Sequence, residues 1–226
     1  MNRLATAAVA LLLIPLLAGC AAPPPAATPA PTAAPSAPTA IQPGTHTTTS
    51  FKPATTYTVP AGWTSVADSA GYFGITLASD PDNGFYLFHN VQALSQDPSC
   101  PKAPEPGVGT SSAALVTWIR SLKGLNVSQP MMVKLGGLPA TQIDVSIHAD
   151  WTPSCSFANG LRTVALFYSD AINWWLAGDE KLRLTIVDIP NGGTVVADLD
   201  SFSGKGFGDL LSSGTPIVQS LQFATQ

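Results

Sequence analysis

Hydrophobic and polar residues alternate over several short stretches of this chain. The clearest is residues 138–149, LPATQIDVSIHA, in which Ile143, Val145 and Ile147 alternate with polar side chains. Successive side chains of a strand point to opposite faces of a sheet. The pattern therefore predicts a strand with one buried face and one solvated face.

Runs rich in β-branched and aromatic residues lie on both sides of this stretch, bounded by Gly, Pro, Asn or Asp. They are TTYTVP, WTSVAD, YFGITLAS, GFYLFHNVQAL and NVSQPMMVKL before it, and LRTVALFYS, INWWLAG, KLRLTIVDI and TVVADLD after it. Residues 80–84, DPDNG, predict a turn between two strands, and residues 190–193, PNGG, predict a hairpin turn.

One helix is predicted within residues 113–122, AALVTWIRSL, where Leu115, Trp118, Ile119 and Leu122 follow the i, i+3, i+4, i+7 spacing. The two serines just before it are suited to cap its N-terminus.

A second helix is predicted in GFGDLLSSGTPIVQSLQ, and Phe223 continues it as a short strand. Runs of strands with one helix between them and one at the end are typical of an α+β domain. We expect a single antiparallel sheet with helices packed on it. Residues 50–226, about 175 residues, are long enough for one domain with a sizeable core.

The N-terminal residues have a different composition. Arg3 is followed by an apolar run from Leu4 to Leu17, which is shorter than the roughly 20 residues of a membrane-spanning helix and is typical of a signal peptide. Leu17-Ala18-Gly19-Cys20 resembles the bacterial lipobox. The resemblance implies that residues 1–19 are removed and that Cys20 carries a diacylglycerol thioether, which would anchor the protein to the outer face of a membrane. The alternative is an ordinary signal peptide with an incidental cysteine.

Residues 20–49 consist mainly of Ala, Pro, Thr and Ser and carry almost no charge. Such a segment has little to bury, and its prolines favour an extended conformation of about 3.1 Å per residue. We predict a disordered tether that holds the domain away from the membrane.

Cys100 and Cys155 remain as an even pair in an exported chain. Oxidising compartments favour a disulfide, which would close a loop of about 54 residues and stabilise the fold by on the order of 4 kcal/mol. Two free thiols are the alternative. A metal pair is disfavoured because no His or Cys lies at ligand spacing.

The domain resembles the Mog1/PsbP-like domains and the LpqN-type lipoproteins of actinobacteria, which share the tether layout. The match lies in short pieces that include TYTVPAGW, LGGLPATQIDV and PIVQSLQF. Its residues are Tyr57, Pro60, Gly62, Trp63, Gly137, Pro139, Ala140, Ile143, Ile217, Ser220, Leu221 and Phe223. The resemblance implies an α/β/α sandwich that acts mainly by binding. The long Cys100 loop and the Trp174-Trp175 pair do not map onto the pattern.

Charge argues against several classes of partner. The chain carries a net charge of −4, and it contains no basic run or stripe. Nucleic acid and recognition of lipid headgroups by a polybasic patch are therefore not predicted.

The residues that would carry catalysis are also sparse. No G-x-S-x-G stretch or P-loop is present, and His89 and His148 lie in predicted strands. Asp144, His148 and Asp150 share a strand face and suit a weak divalent-cation site, but a solvated face is the more ordinary interpretation. We predict no catalytic residue, metal or cofactor, and hence no enzyme.

The sequence also contains two pairs of neighbouring carboxylates. Asp198 and Asp200 share a strand face, and Asp179 and Glu180 lie in a turn. A glycosidase needs two carboxyls that meet in space, but acidic residues on exposed faces and in turns are the ordinary expectation.

The aromatic residues give the best indication of a binding surface. Trp174 and Trp175 are adjacent in a predicted strand, so one faces the core and the other the opposite side. The second either lies under a helix or forms a stacking platform for a sugar or a protein, which Trp151 would extend. We take these three tryptophans as the candidate binding surface, with core packing as the alternative.

Two functions follow from these observations. The first is a non-catalytic, membrane-anchored module that binds a protein or a cell-envelope component such as a glycan. The second is a carrier of a lipid or another apolar ligand, which would require a large apolar cavity. An envelope enzyme ranks third and would require a cleft with convergent polar groups.

Overall fold

The computed structural model describes residues 39–224. Its helices are α1 (Ser112–Ser121) and α2 (Phe207–Gln219), together with a 3-10 helix at Ser156–Ala158. Its strands are β1 (Thr39–Ala40), β2 (Gly44–Thr47), β3 (Thr55–Val59), β4 (Trp63–Asp68), β5 (Tyr72–Leu77), β6 (Asp80–His89), β7 (Gln92–Ala93), β8 (Leu125–Val127), β9 (Met131–Leu135), β10 (Leu138–Ile147), β11 (Thr163–Tyr168), β12 (Asn173–Ala177), β13 (Lys181–Ile189), β14 (Gly193–Ser201) and β15 (Gln222–Phe223).

A nine-stranded sheet forms the middle of the domain, in the order β1-β4-β5-β6-β14-β13-β10-β8, with β9 also paired to β10. Neighbouring strands are antiparallel throughout, and the predicted hairpin turn connects β13 to β14. The central strands are apolar on both faces because both faces are covered. On β14, for example, Val196 lies in one hydrophobic core, whereas Val195 and Ala197 lie in the other.

The first core contains α1 and a three-stranded sheet, β12-β11-β7, on one face of the central sheet. The second core contains α2 and another three-stranded sheet, β15-β3-β2, on the opposite face. The α+β class and the α/β/α layering are thus confirmed. The expectation of a single sheet was wrong in one respect, because each outer layer holds a small sheet beside its helix.

Helix α1 follows the predicted pattern closely. The Ser111 side chain accepts a hydrogen bond from the Ala114 backbone N–H at 3.3 Å, which caps the N-terminus. Leu115, Trp118 and Ile119 are buried in the first core, as their spacing predicts.

The tether prediction was wrong for its last residues, because β1 and β2 lie within residues 39–49. Strand β2 pairs with β3, and β1 pairs with β4. The Asp68 carboxylate then accepts hydrogen bonds from the backbone N–H groups of Thr49, Ser50 and Phe51 at 2.6, 3.1 and 2.8 Å. These contacts hold the segment to the domain, so the described fold begins before residue 50.

The DPDNG turn prediction was also wrong. Strand β6 already begins at Asp80, and the turn lies at residues 78–79. Asn83 and Gly84 pair with Ser201 and Asp200 of β14, so sheet pairing overrides the local turn preference.

The predicted signal peptide, Cys20 and the tether up to residue 38 lie outside the described residues. Within residues 39–224, no helix has the length and apolar character needed to cross a membrane.

Candidate functional site

A pocket of about 540 Å³ opens where β12 and the 3-10 helix lie over the ends of β6 and β14. Its volume is in the range of sites that bind small molecules. Five aromatic side chains line it: Tyr86, Phe157, Trp174, Trp175 and Phe202. We call it the aromatic pocket.

The two adjacent tryptophans reach this pocket from opposite sides of β12. The Trp174 ring packs on the first core, 5.3 Å from the ring centroid of Tyr86 and 5.0 Å from that of Phe88. The Trp175 ring meets Phe157 edge to face at 4.8 Å. Both rings line the pocket because it lies at the open edge of the small sheet.

Trp151 is not brought into the aromatic pocket. Its indole N–H donates to the Thr163 carbonyl oxygen at 2.9 Å, and its ring packs against the first core. It lines a second pocket of about 200 Å³, together with Trp175 and both half-cystines. Trp175 therefore lines both pockets.

Cys100 and Cys155 form a disulfide, with their Cα atoms 5.9 Å apart, which confirms the pairing. Cys155 directly precedes the 3-10 helix that carries Phe157. Its backbone N–H also donates to the Thr163 hydroxyl at 3.0 Å. The disulfide thus ties one wall of the aromatic pocket to the rest of the domain.

The floor of the pocket is acidic. Glu180, Asp198 and Asp200 are only 2%, 0% and 5% exposed, and Glu180 and Asp200 line the pocket directly. The aspartates alternate along β14 on the face that carries Val196. Glu180 accepts a hydrogen bond from the Ala177 backbone N–H at 2.8 Å.

Burial raises the pKa of all three carboxyls. Burial raises the pKa of Glu180 to about 8, and the nearby Asp198 charge adds to the effect, although the Ala177 N–H opposes it. Burial also raises the pKa values of Asp198 and Asp200 well above the usual range, and the charges of the neighbouring carboxyls add to this effect. The Glu180 and Asp200 carboxyls are close enough for each to change the pKa of the other.

Several polar atoms around the floor have no partner among residues 39–224. They are both carboxyl oxygens of Asp198, one oxygen of Asp200, and the indole nitrogens of Trp174 and Trp175. Buried polar groups are normally hydrogen-bonded, so atoms of this kind need an explanation.

Tyrosines complete the surroundings of the floor. Burial, followed by the charge of Asp200, raises the pKa of Tyr72 to about 12 and also raises the pKa of Tyr86. The Tyr86 ring lies against Gly84, where an added Cβ would approach its Cζ atom to 2.6 Å. A larger residue at this position would push the tyrosine ring out of its place.

The other candidate sites lie elsewhere. Asp144 is bound by the Arg183 guanidinium through two hydrogen bonds of 2.7 and 2.8 Å, which occupies the carboxylate considered for a cation. His89 contacts the Gly192 carbonyl oxygen at 2.7 Å. Within residues 39–224, no group of three His, Cys, Asp or Glu side chains is arranged to hold a metal ion.

Comparison with known proteins gives only distant similarity. No protein-family model and no curated protein sequence matches the chain. Three similar solved structures are a Bacteroides thetaiotaomicron protein, the cyanobacterial PsbP protein (CyanoP) of Synechocystis, and LpqN, involved in cell envelope biogenesis of Mycobacterium tuberculosis.

Their sequence identities to this chain are 10%, 10% and 18%, and their TM-scores are 0.38, 0.43 and 0.41, in that order. The matches cover 76%, 81% and 76% of this chain, and 46%, 95% and 83% of the other chains. The chain thus spans less than half the length of the Bacteroides protein. The fold assignment rests on the layers and strand order described above.

Proposed function

We propose that this protein is a lipid-anchored, extracytoplasmic module that binds a protein or a cell-envelope component through the aromatic pocket, without catalysis. The observation that carries the proposal is the set of five aromatic side chains around a pocket of about 540 Å³ with carboxyls at its floor. Aromatic rings offer large apolar faces, and the carboxyls offer directional hydrogen bonds. In this proposal Cys20 carries the lipid, and the proline-rich residues that follow it keep the pocket clear of the bilayer.

The arrangement of the carboxyls favours binding over glycoside hydrolysis. Burial raises the pKa of both Glu180 and Asp200, whereas a glycosidase requires one of its two carboxyls to act in the ionised form. Among the described residues, the pocket lining contains no Ser, Thr, Cys, His or Lys that would act as a nucleophile.

The same floor disfavours the carrier function. An acyl chain in the pocket would leave the unpartnered oxygen of Asp200 without a hydrogen bond. Leaving buried polar groups without partners costs on the order of 1–3 kcal/mol each. A ligand with polar or charged groups suits this site better than an apolar chain.

Photocrosslinking in cells would test the proposal. A photoreactive phenylalanine would replace Phe202, at the pocket and 49% exposed, or Met132, which is 74% exposed on β9 and serves as the matched control. We expect an adduct from position 202. An adduct that muramidase shortens indicates a cell-wall glycan, and one that muramidase leaves intact indicates a protein. We also expect Cys20→Ala to release the protein from the membrane and to reduce the adduct.

Equal adducts from both positions, or none from position 202, would contradict a partner at the pocket. Retention of the Cys20→Ala protein in the membrane fraction would contradict the lipid anchor.

A further inference from the structure

Two buried carboxyls, Glu180 and Asp200, line the aromatic pocket, and a third, Asp198, is buried on the same strand face as Asp200. The lining contains no Lys, Arg or His among the described residues. Buried acids are normally paired with a cation or hydrogen-bonded by several donors. Here both oxygens of Asp198 and one of Asp200 have no partner within residues 39–224. At the pocket itself, one carboxyl oxygen of Asp200 is therefore left without a partner that the described residues supply.

We propose that the aromatic pocket binds an organic cation, with an alkylammonium group held between the aromatic rings and the Glu180 and Asp200 carboxyls. The inference rests on the proposed function, because it identifies the chemistry of the group that the binding module recognises. A primary ammonium of a lysine side chain and a quaternary ammonium of a small molecule share this chemistry.

The walls and the floor act on such a group in complementary ways. An aromatic face attracts a cation within about 6 Å of its centroid, and Trp provides the strongest attraction. Trp174 and Trp175 both line the pocket, and Phe202 is half-exposed at the same pocket. Asp200 lines the pocket and has one oxygen without a partner, so this oxygen is available to accept a hydrogen bond or to pair with a positive charge.

An organic cation fits these residues better than a metal ion. Within residues 39–224, no three acidic, His or Cys side chains are grouped to coordinate a metal. Aromatic rings do not supply the oxygen ligands that hard divalent cations require. They do suit an alkylammonium group, whose charge is spread over an apolar surface.

A cation also differs from a neutral sugar in its effect on protonation. Burial raises the pKa of each floor carboxyl, which favours its protonated form. A bound cation favours the ionised form, so its binding should release protons and should strengthen as the pH rises. A neutral sugar requires neither effect. The titratable groups around the floor are Glu180 in the turn before β13, Asp198 and Asp200 on β14, Asp82 and Tyr86 on β6, and Tyr72 on β5.

Isothermal titration calorimetry of the full chain in mild detergent would test the inference. The probes are choline and its neutral isostere 3,3-dimethylbutan-1-ol, with Nα-acetyl-lysine amide as the lysine-like cation and N-acetylglucosamine as the neutral sugar. Each titration would be run at pH 6.5 and 8.5 in buffers of different ionisation enthalpy, so that proton release is measured directly.

We expect at least one cation to bind at least tenfold more tightly than the neutral isostere, with proton release and with higher affinity at pH 8.5. Which cation binds more tightly separates the small-molecule source from the peptide source. Glu180→Gln should lower cation affinity at least tenfold and remove most of the proton release, and Phe202→Ala should lower affinity severalfold. Asp170→Asn removes an exposed carboxyl outside the pocket lining and should change neither quantity.

The inference is overturned if neither cation binds, if the neutral isostere or the sugar binds as tightly, or if binding occurs without proton release. These outcomes are separate from failure of the proposed function. An adduct at position 202 without cation binding would leave the binding module in place and refute only the ligand class. Cation binding without an adduct would refute the macromolecular partner.

Discussion

Glu180 is buried beside two other carboxyls, so its ionisation is linked to the stability of the fold. In the folded protein burial raises the pKa of Glu180 to about 8, whereas its ordinary value is 4.5. Between these two values the unfolded chain loses the proton while the folded protein keeps it. The folded state is therefore destabilised as the pH rises, and replacement of Glu180 by Gln should remove this effect.

The magnitude follows from the difference in pKa. Each unit of pKa difference corresponds to about 1.4 kcal/mol. Because pH 7 lies about 2.5 units above the ordinary pKa of Glu180, only that part of the pKa difference acts on stability at pH 7. Glu180→Gln should therefore raise the free energy of unfolding at pH 7 by up to about 3 kcal/mol. The stability that wild type has below pH 4.5 is lost progressively towards pH 8, so the variant should match wild type at pH 4.

Urea denaturation followed by tryptophan fluorescence would measure these values at pH 4, 5.5 and 7. The Gln side chain retains an oxygen for the Ala177 N–H and gains a donor for Asp200, so the local contacts are preserved. Asp170→Asn is the matched control and should follow wild type at each pH. A variant with the same pH slope as wild type, or a wild-type stability that rises from pH 5.5 to 7, would refute the reasoning.

Three further changes test the contacts that build the fold and the site. Replacing both Cys100 and Cys155 by Ser should lower the free energy of unfolding by about 4 kcal/mol in thermal or urea denaturation, and should increase protease cleavage near the 3-10 helix; unchanged stability would contradict this. Asp68→Ala should cost about 2 kcal/mol and expose the first strands to hydrogen exchange, because three backbone N–H groups lose their acceptor; full protection would contradict it. Gly84→Ala should displace the Tyr86 ring and lower cation affinity severalfold by calorimetry, and an unchanged affinity would show that the ring has no role.

Much of the fold could be predicted because local pattern and tertiary packing agree. The apolar face of α1 and the alternation in β10 are both buried as their spacing indicates. The turn at residues 190–193 does connect β13 and β14, because its Asn and Gly residues suit the conformation that a hairpin requires. In each case the nearest residues in sequence decide the structure.

The first strands could not be predicted because partners distant in sequence decide them. Residues 39–49 are as poor in charge as the tether before them, and the Thr-rich residues 44–49 have no large apolar side chain that would indicate a buried strand. Its pairing with β3 and the hydrogen bonds to Asp68 decide the outcome. The same cause explains why DPDNG is a strand, since β14 supplies its partner.

Only part of the aromatic pocket could be predicted from the sequence. The adjacent tryptophans indicate a binding surface, but the local sequence predicts exposed side chains for Asp198 and Asp200, whereas the structure buries both. A usable signal was present, because β14 reads TVVADLD and its apolar residues fall on both faces. A strand apolar on both faces is covered on both sides, so its aspartates must be buried as well. That Glu180 joins them depends on the pairing of β13 with β14 and has no local signal.

The buried carboxyls make the link between stability and binding testable in one protein. If they served only the fold, amides of the same shape would serve it better at neutral pH, since they need no proton to be buried. Groups that destabilise a fold are commonly found where function requires them. Glu180→Gln should therefore gain stability at pH 7 and lose cation affinity together. A variant that gains stability and keeps its affinity would show that the acidic floor has no part in binding.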